Sequence, residues 1–190
     1  MCGRYYIAIE EDELRDIGEE AEKIVRAFSE PIPLKIQGEI FPTNVVPVQT
    51  TRDRFVPMKW GFISYDKKTI INARSETALQ KPMFRKAMLE NRCLIPASGY
   101  YEWKRGDDKK VKYQIYRQGE PLFFAGCFRQ EKSSPLRHFV ILTRAATNGL
   151  EEIHDRMPVI IPRVYIEAWL YDSPSAIESA LTDLEFKPAV

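Results

Sequence analysis

Residues 92–104 read Arg92-Cys93-Leu94-Ile95-Pro96-Ala97-Ser98-Gly99-Tyr100-Tyr101-Glu102-Trp103-Lys104. Two strand signatures follow each other closely here. Arg92 to Pro96 is a short apolar run, and from Gly99 onward Tyr101 and Trp103 alternate with Tyr100, Glu102 and Lys104. Strand patterns continue on both sides. Upstream, Phe55-Val56-Pro57-Met58-Lys59-Trp60 leads to Gly61, and Thr69-Ile70-Ile71-Asn72 is a short β-branched run. Downstream, residues 111–117, 122–128 and 138–143 complete a set of at least six strands. Helical periodicity is confined to three places. Leu14, Ile17, Ala21, Ile24, Val25 and Phe28 recur at helical spacing over 12–28, ahead of Pro31 and Pro33. Pro82 to Glu90 has Met83, Ala87 and Met88 on one face, and Ser173-Pro174 opens a third helix running to about Leu184. The fold expected is α+β: a single domain over 1–190 with a curved, mostly antiparallel, barrel-like β core flanked by helices.

The 190 residues are 44% apolar and 12% aromatic, enough for a sizeable core. No apolar run approaches the ~18 residues of a membrane span, and the N-terminus has no basic region followed by an apolar stretch, so neither a membrane nor a signal peptide is expected. Cys2, Cys93 and Cys127 form no metal-type spacing. An odd count without a secretion signal points to a reducing cytoplasm, and Cys93 and Cys127 read as core. No metal or cofactor is expected. No long apolar surface helix demands a partner, so a monomer is expected.

The net charge of +1 is unevenly laid out. Acids crowd residues 10–22. Lys81, Arg85, Lys86 and Arg92 form one basic cluster, and Lys104, Arg105, Lys109, Lys110 and Lys112 another. The second surrounds Gly106-Asp107-Asp108 and reads as a solvated hairpin tip. A local patch can bind nucleic acid where the total is balanced.

Chemistry begins at the second residue. Met1 precedes Cys2, and a small side chain after Met permits its removal. Cys2 would then carry a free α-amine beside a thiol, with ordinary pKa values of about 7.7–8.0 and about 8.5. Such a 1,2-aminothiol condenses with an aldehyde to an imine, and the thiol then closes a thiazolidine ring. Asn72, Glu102 and His154 are the further candidates. Taken singly, each has a bland reading: a turn cap, a solvated strand position, an exposed histidine. His138, opening a strand, keeps the structural reading. Together, a cysteine, a carboxylate, a histidine and an amide are the parts of acid–base-assisted covalent chemistry.

Met1-Cys2-Gly3-Arg4-Tyr5, Ile71-Asn72-Ala73-Arg74-Ser75-Glu76-Thr77, Phe84-Arg85, Tyr101-Glu102-Trp103 and Ile153-His154-Asp155-Arg156-Met157-Pro158 occur in that order. Thr43-Asn44-Val45-Val46-Pro47 and Lys59-Trp60-Gly61 add lesser matches. The chain resembles the SOS-response-associated peptidase family, whose members shield abasic sites in single-stranded DNA. The resemblance implies a covalent DNA–protein crosslink through Cys2, with abasic-site lyase activity and self-removal of Met1 as associated activities. It implies proton transfer by Glu102, opening of the sugar ring by His154, and positioning of Cys2 by Asn72. Along the DNA it implies Arg4, Asn44, Pro47, Trp60, Tyr65, Arg74, Ser75, Arg85, Thr143 and Arg156, with guanidinium forks on phosphates. The implied setting is the bacterial cytoplasm, at the nucleoid when bound to DNA. One departure is Ser64-Tyr65, where relatives commonly carry a Trp pair; Tyr65 can still stack on a base.

Two other readings account for part of the pattern. An N-terminal-nucleophile amidotransferase also exposes a Cys followed by Gly, and would release ammonia from glutamine without a DNA adduct. A non-catalytic single-strand-binding module would use Arg74, Arg85, Arg156 and Tyr65 and leave Cys2 inert, with strongly salt-sensitive binding.

Overall fold

A computed structural model describes residues 2–8, 12–105, 110–132 and 134–189. In chain order its elements are β1 (Tyr5–Ile7), α1 (Asp12–Val25), β2 (Gly38–Ile40), β3 (Val45–Thr51), β4 (Arg54–Trp60), β5 (Phe62–Ile63), β6 (Thr69–Ile70), β7 (Asn72–Arg74), α2 (Ser75–Ala78), α3 (Pro82–Glu90), β8 (Arg92–Ala97), β9 (Gly99–Arg105), β10 (Lys110–Tyr116), β11 (Leu122–Gln130), β12 (Arg137–Ala145), β13 (Arg156–Pro158) and β14 (Glu185–Pro188).

Five strands close into a ring. β3 pairs with β4, β4 with β12, β12 with β11, β11 with β8, and β8 returns to β3 through Gln49 and Leu94. Closure leaves these strands no free edge. All the ring's pairings are antiparallel except β4 with β12. Alternation sends one set of side chains into the ring and the other outward. Cys93, Ile95, Phe124, Phe139 and Ile141 join one core cluster. Leu94, Phe123, Ala125, Cys127, Val140 and Leu142 join a second, roofed by Phe84 and Met88 of α3 and by Trp169. The central stretches of β8, β11 and β12 are therefore apolar on both faces, and Cys93 and Cys127 are core residues as expected.

The second sheet has the order β14-β10-β9-β1-β2 and is antiparallel throughout. The opening stretch, 92–104, joins the two. β8 belongs to the ring and β9 to the second sheet, with the change made at Ser98-Gly99. Ser98 N–H donates to Tyr6 O at 2.9 Å, and Ser98 Oγ accepts from Ala8 N–H at 2.8 Å. Gly99 is required at the crossing, because a Cβ there would lie 2.4 Å from Ile115 O. The β9–β10 ladder reaches Arg105 opposite Lys110; the hairpin tip expected at Gly106-Asp107-Asp108 lies outside the described residues.

Several expectations are corrected. α1 ends at Val25, and tight turns carry the chain on to Phe28, which is 38% exposed rather than on the buried face. The helix expected from Ser173-Pro174 to Leu184 is a single 3₁₀ segment, Pro174–Ser179, with Ser173 Oγ capping Ser175 N–H at 3.1 Å. Long-range hydrogen bonds stop it: Leu181 N–H donates to Ile160 O at 2.8 Å, and residues 185–188 pair with β10 as β14. Arg92 leaves the basic cluster. It is buried, and its guanidinium donates to the carbonyls of Met88 and Leu89 at the end of α3 and, through Nε, to Trp169 O. No helix among the described residues is long and apolar enough to cross a membrane.

Candidate active site

The C-terminal end of β12 lies between two short strands. On one side β7 runs parallel, with Asn72 opposite Ile141 and Arg74 opposite Thr143. On the other, β13 runs antiparallel, with Arg156 opposite Ala145. This register gathers Asn72, Arg74, Thr143 and Arg156 from three separate segments.

Cys2, three residues ahead of β1, enters the same region. Its side chain is fully buried within the ring's core cluster. Asn72 Nδ2 donates to Cys2 O at 2.9 Å, and Tyr101 N–H donates to Arg4 O at 2.9 Å, so β7 and β9 both hold the N-terminal segment. Asn72 Oδ1 is buried and has no acceptor role among the described residues. Burial pushes the Cys2 thiol far above the ordinary range, and the nearby Glu102 carboxylate pushes it further. Burial likewise raises Tyr5 and Tyr100, and both also feel the charge of Cys2. Their rings pack edge-on against Phe124 at 5.8 and 6.0 Å, walling the thiol.

Glu102 is 5% exposed, not on a solvated strand face. It comes from β9, opposite Tyr113 of β10. His154 follows the 3₁₀ turn Leu150–Glu152 and is fixed by its N–H to Leu150 O at 3.0 Å. Glu102 and His154 line one cleft of about 610 Å³, together with Trp103, Lys110, Glu151 and Asp155. Glu102 thus faces this cleft with His154, while its charge acts on the Cys2 thiol buried behind it.

The residues implied for DNA contact divide. Arg74 is exposed and has no ion-pair partner among the described residues. Tyr65 is fully exposed at the tip of the β5–β6 hairpin. Arg4 stacks over Phe41 at 4.4 Å and Trp103 at 4.9 Å, and lies 3.7 Å from Glu39. Lys112 lies over Tyr101 at 3.8 Å, so cations and aromatics alternate across this sheet face. Ser75 opens α2. Asn44 uses Oδ1 to accept from Phe41 N–H at 2.9 Å and so closes a turn. Thr143 is buried. Pro47 and Trp60 are buried in the ring, Trp60 donating Nε1–H to Ile71 O at 3.0 Å. Arg85 is exposed on α3, in a separate cleft with Gln80, Pro82 and Leu89. Arg156 is only 11% exposed and is held by both carboxylate oxygens of Glu76, at 2.7 and 2.8 Å. That pairing draws the Glu76 carboxyl down to about 2.

Sequence reasoning gave no role to Tyr5, Glu76, Tyr100, Phe41 or Lys112. Tyr5 and Glu76 lie inside the quoted motifs, and Tyr100 alternates in phase with Glu102. Phe41 carried no local signal, and Lys112 sat in the run read as a solvated hairpin tip; only the sheet brings them to Arg4, Tyr101 and Trp103.

A model of the SOS response associated peptidase family matches residues 1–189. The abasic site processing protein YedK of Escherichia coli K12 is 33% identical over 189 residues, covering 95% of this chain and 84% of its own. The abasic site processing protein YoqW of Bacillus subtilis 168 is 35% identical over 190 residues, covering 90% and 80%. Among solved structures, a phage-related protein of Bordetella bronchiseptica superposes with a TM-score of 0.71 at 26% identity, covering 99% of this chain and 94% of that one. A Bacteroides thetaiotaomicron protein superposes with a TM-score of 0.76 at 23% identity, covering 98% and 91%, and shares the fold.

Proposed function

Because the chain belongs to the SOS response associated peptidase family, we propose that it processes abasic sites in single-stranded DNA, and that it does so by a covalent crosslink through Cys2. The observation that supports this reading is that Asn72 of β7 holds Cys2 by its main-chain oxygen, and that Glu102 of β9, whose charge acts on the Cys2 thiol, lines a cleft shared with His154.

While Met1 is attached, the nitrogen of Cys2 is an amide and does not attack a carbonyl. Removal of Met1, by the protein itself or an aminopeptidase, yields a free α-amine. An abasic deoxyribose exists mostly as a closed ring. A proton from His154 to the ring oxygen breaks the C1–O bond as the C1 hydroxyl proton leaves to water, and the aldehyde is freed. The Cys2 amine adds to the aldehyde carbon, and loss of one water leaves an imine. The thiol then adds to the same carbon: a C–S bond forms, the C=N electron pair returns to nitrogen, and the thiol proton leaves. Glu102, whose charge acts on the Cys2 thiol, accepts that proton in this reading. The product is a thiazolidine, and proton return from Glu102 reverses the last step. β-Elimination from the imine would nick the strand instead.

For the strand itself, Arg4 and Arg74 offer guanidinium forks to phosphates. Tyr65, Phe41 and Trp103 offer faces on which bases stack without sequence preference. Cys2, Cys93 and Cys127 are all buried and unbridged, which suits a reducing cytoplasm. The test is a denaturing gel of the Met1-processed protein mixed with an oligonucleotide bearing one abasic site. A heat-stable shifted band is expected, absent with undamaged DNA and lost in Cys2→Ala. Ammonia release from glutamine with no shifted band would support the amidotransferase instead.

A further inference from the structure

We propose that Glu76 is a positioning residue for His154, acting through Arg156. The catalytic consequence rests on the abasic-site reading above; the positioning itself rests on hydrogen bonds. Glu76 lies in the first turn of α2, which follows directly on β7. Its two carboxylate oxygens take Nη1 and Nη2 of Arg156, and Nη2 also donates to Thr143 O at 2.6 Å. A bidentate pair backed by a main-chain carbonyl leaves Arg156 one orientation, unlike a surface arginine. The carboxylate stays charged across the neutral range, held low by the guanidinium.

The other end of Arg156 reaches His154. Its main-chain N–H lies 3.0 Å from His154 Nδ1. An amide N–H can only donate, so Nδ1 must be without a proton when this bond is made, and the neutral ring carries its proton on Nε2. Asp155 Oδ1 also lies 2.9 Å from Nδ1, and would bond it only if that nitrogen held the proton. The two contacts compete. The amide prevails, because the short β12–β13 ladder and the Glu76 clamp on the same residue together hold it in place, whereas the Asp155 side chain is 79% exposed and turns readily to water. Nε2 is then the nitrogen from which His154 donates to the sugar. Loosening Arg156 by removing Glu76 lets β13 shift, Asp155 compete, and the tautomer mix.

The chain has an internal standard for this measurement. Its other histidine, His138, places Nδ1 2.6 Å from Gly61 O. A carbonyl only accepts, so the neutral His138 ring carries its proton on Nδ1, the opposite tautomer. The experiment is a long-range ¹H–¹⁵N correlation on ¹⁵N-histidine-labelled, Met1-processed protein, for wild type, Glu76→Ala and Glu76→Gln. In wild type, His154 should show the Nε2–H pattern and His138 the Nδ1–H pattern. In Glu76→Ala the His154 pattern should become mixed while His138 is unchanged. Crosslinking to an abasic oligonucleotide should slow about tenfold, the effect of roughly 1.4 kcal/mol on a barrier. Affinity for an undamaged strand should not fall, since Arg156 is released and a negative charge is lost. Glu76→Gln, which keeps one acceptor oxygen, should fall between the two. A wild-type tautomer in Glu76→Ala, or a rate loss matched by an affinity loss, overturns the proposal. If Glu76→Ala does not fold, an unchanged tautomer and rate in Glu76→Gln overturns it. If wild type forms no crosslink, the function reading fails, and the tautomers still decide the positioning.

Discussion

The side-chain amide of Asn72 donates to the main-chain oxygen of Cys2 across 2.9 Å, joining residues seventy apart in the chain. The bond is made to backbone, so it sets the position of residue 2 whatever the state of its thiol. Asn72 is itself placed by the β7–β12 ladder, which ties the N-terminal segment to the closed ring.

Replacing Asn72 by Asp removes the donor and keeps the size. A hydrogen bond of this kind is worth about 1 kcal/mol, so crosslinking should slow about five- to tenfold. Affinity for undamaged single-stranded DNA should stay within about twofold, since the arginines are untouched. Parallel measurement of adduct rate and fluorescence anisotropy checks this; equal loss in both would make Asn72 a DNA ligand instead.

Tyr65 is fully exposed and packs on nothing that stability depends on. Tyr65→Ala should leave the unfolding midpoint within about 0.5 kcal/mol of wild type. Stacking on one base contributes about 1–3 kcal/mol, so single-strand affinity should fall at least about fivefold. Unchanged affinity would remove the hairpin tip from the DNA path.

Gly99→Ala tests the junction between ring and sheet. Its Cβ would meet Ile115 O, which cannot yield without disturbing the β9–β10 ladder, and the Tyr6 ring of β1. A cost of about 1–3 kcal/mol is expected, read as a lowered urea midpoint with unchanged slope. A variant as stable as wild type would contradict the described crossing.

Alkaline pH should unfold the chain early. Cys127 is pushed up to about 12 and Cys93 well above its ordinary value, both chiefly by burial, and Tyr5 and Tyr100 are raised with them. These groups ionise first in the unfolded chain. Stability is therefore complete below about pH 8.5, the ordinary thiol value, and falls as pH rises toward the folded values. Urea midpoints at pH 8, 9 and 10 should decrease in that order. A flat series would mean that the thiols are less enclosed than described.

Much of this architecture was legible in local pattern. The alternation through Tyr100–Lys104 and the apolar run at Cys93–Pro96 mark β9 and β8, and Pro82–Glu90 is a helix with the expected bounds. What escaped depends on long-range pairing. Three residues at Tyr5–Ile7 or Gly38–Ile40 are too few to show a period, and exist as strands only because each has a partner across the sheet. Residues 185–188 are strand because β10 offers an edge, against a helix signal at Ser173-Pro174 that is spent within six residues. For the site, Cys2, Asn72, Glu102 and His154 could be singled out by residue type and family resemblance. The burial of Glu102 and the capture of Arg156 by Glu76 are tertiary facts, and no spacing between 76 and 156 announces them.

On the proposed mechanism Cys2 joins the abasic sugar through both its nitrogen and its sulfur. Protease digestion of the adduct and mass spectrometry of the N-terminal peptide test it most directly. The peptide beginning at Cys2 should carry the sugar remnant with the loss of one water, resist borohydride because no imine remains, and have no free thiol to alkylate. A remnant on a lysine, or on a Cys2 that still reacts as a thiol, would contradict the account.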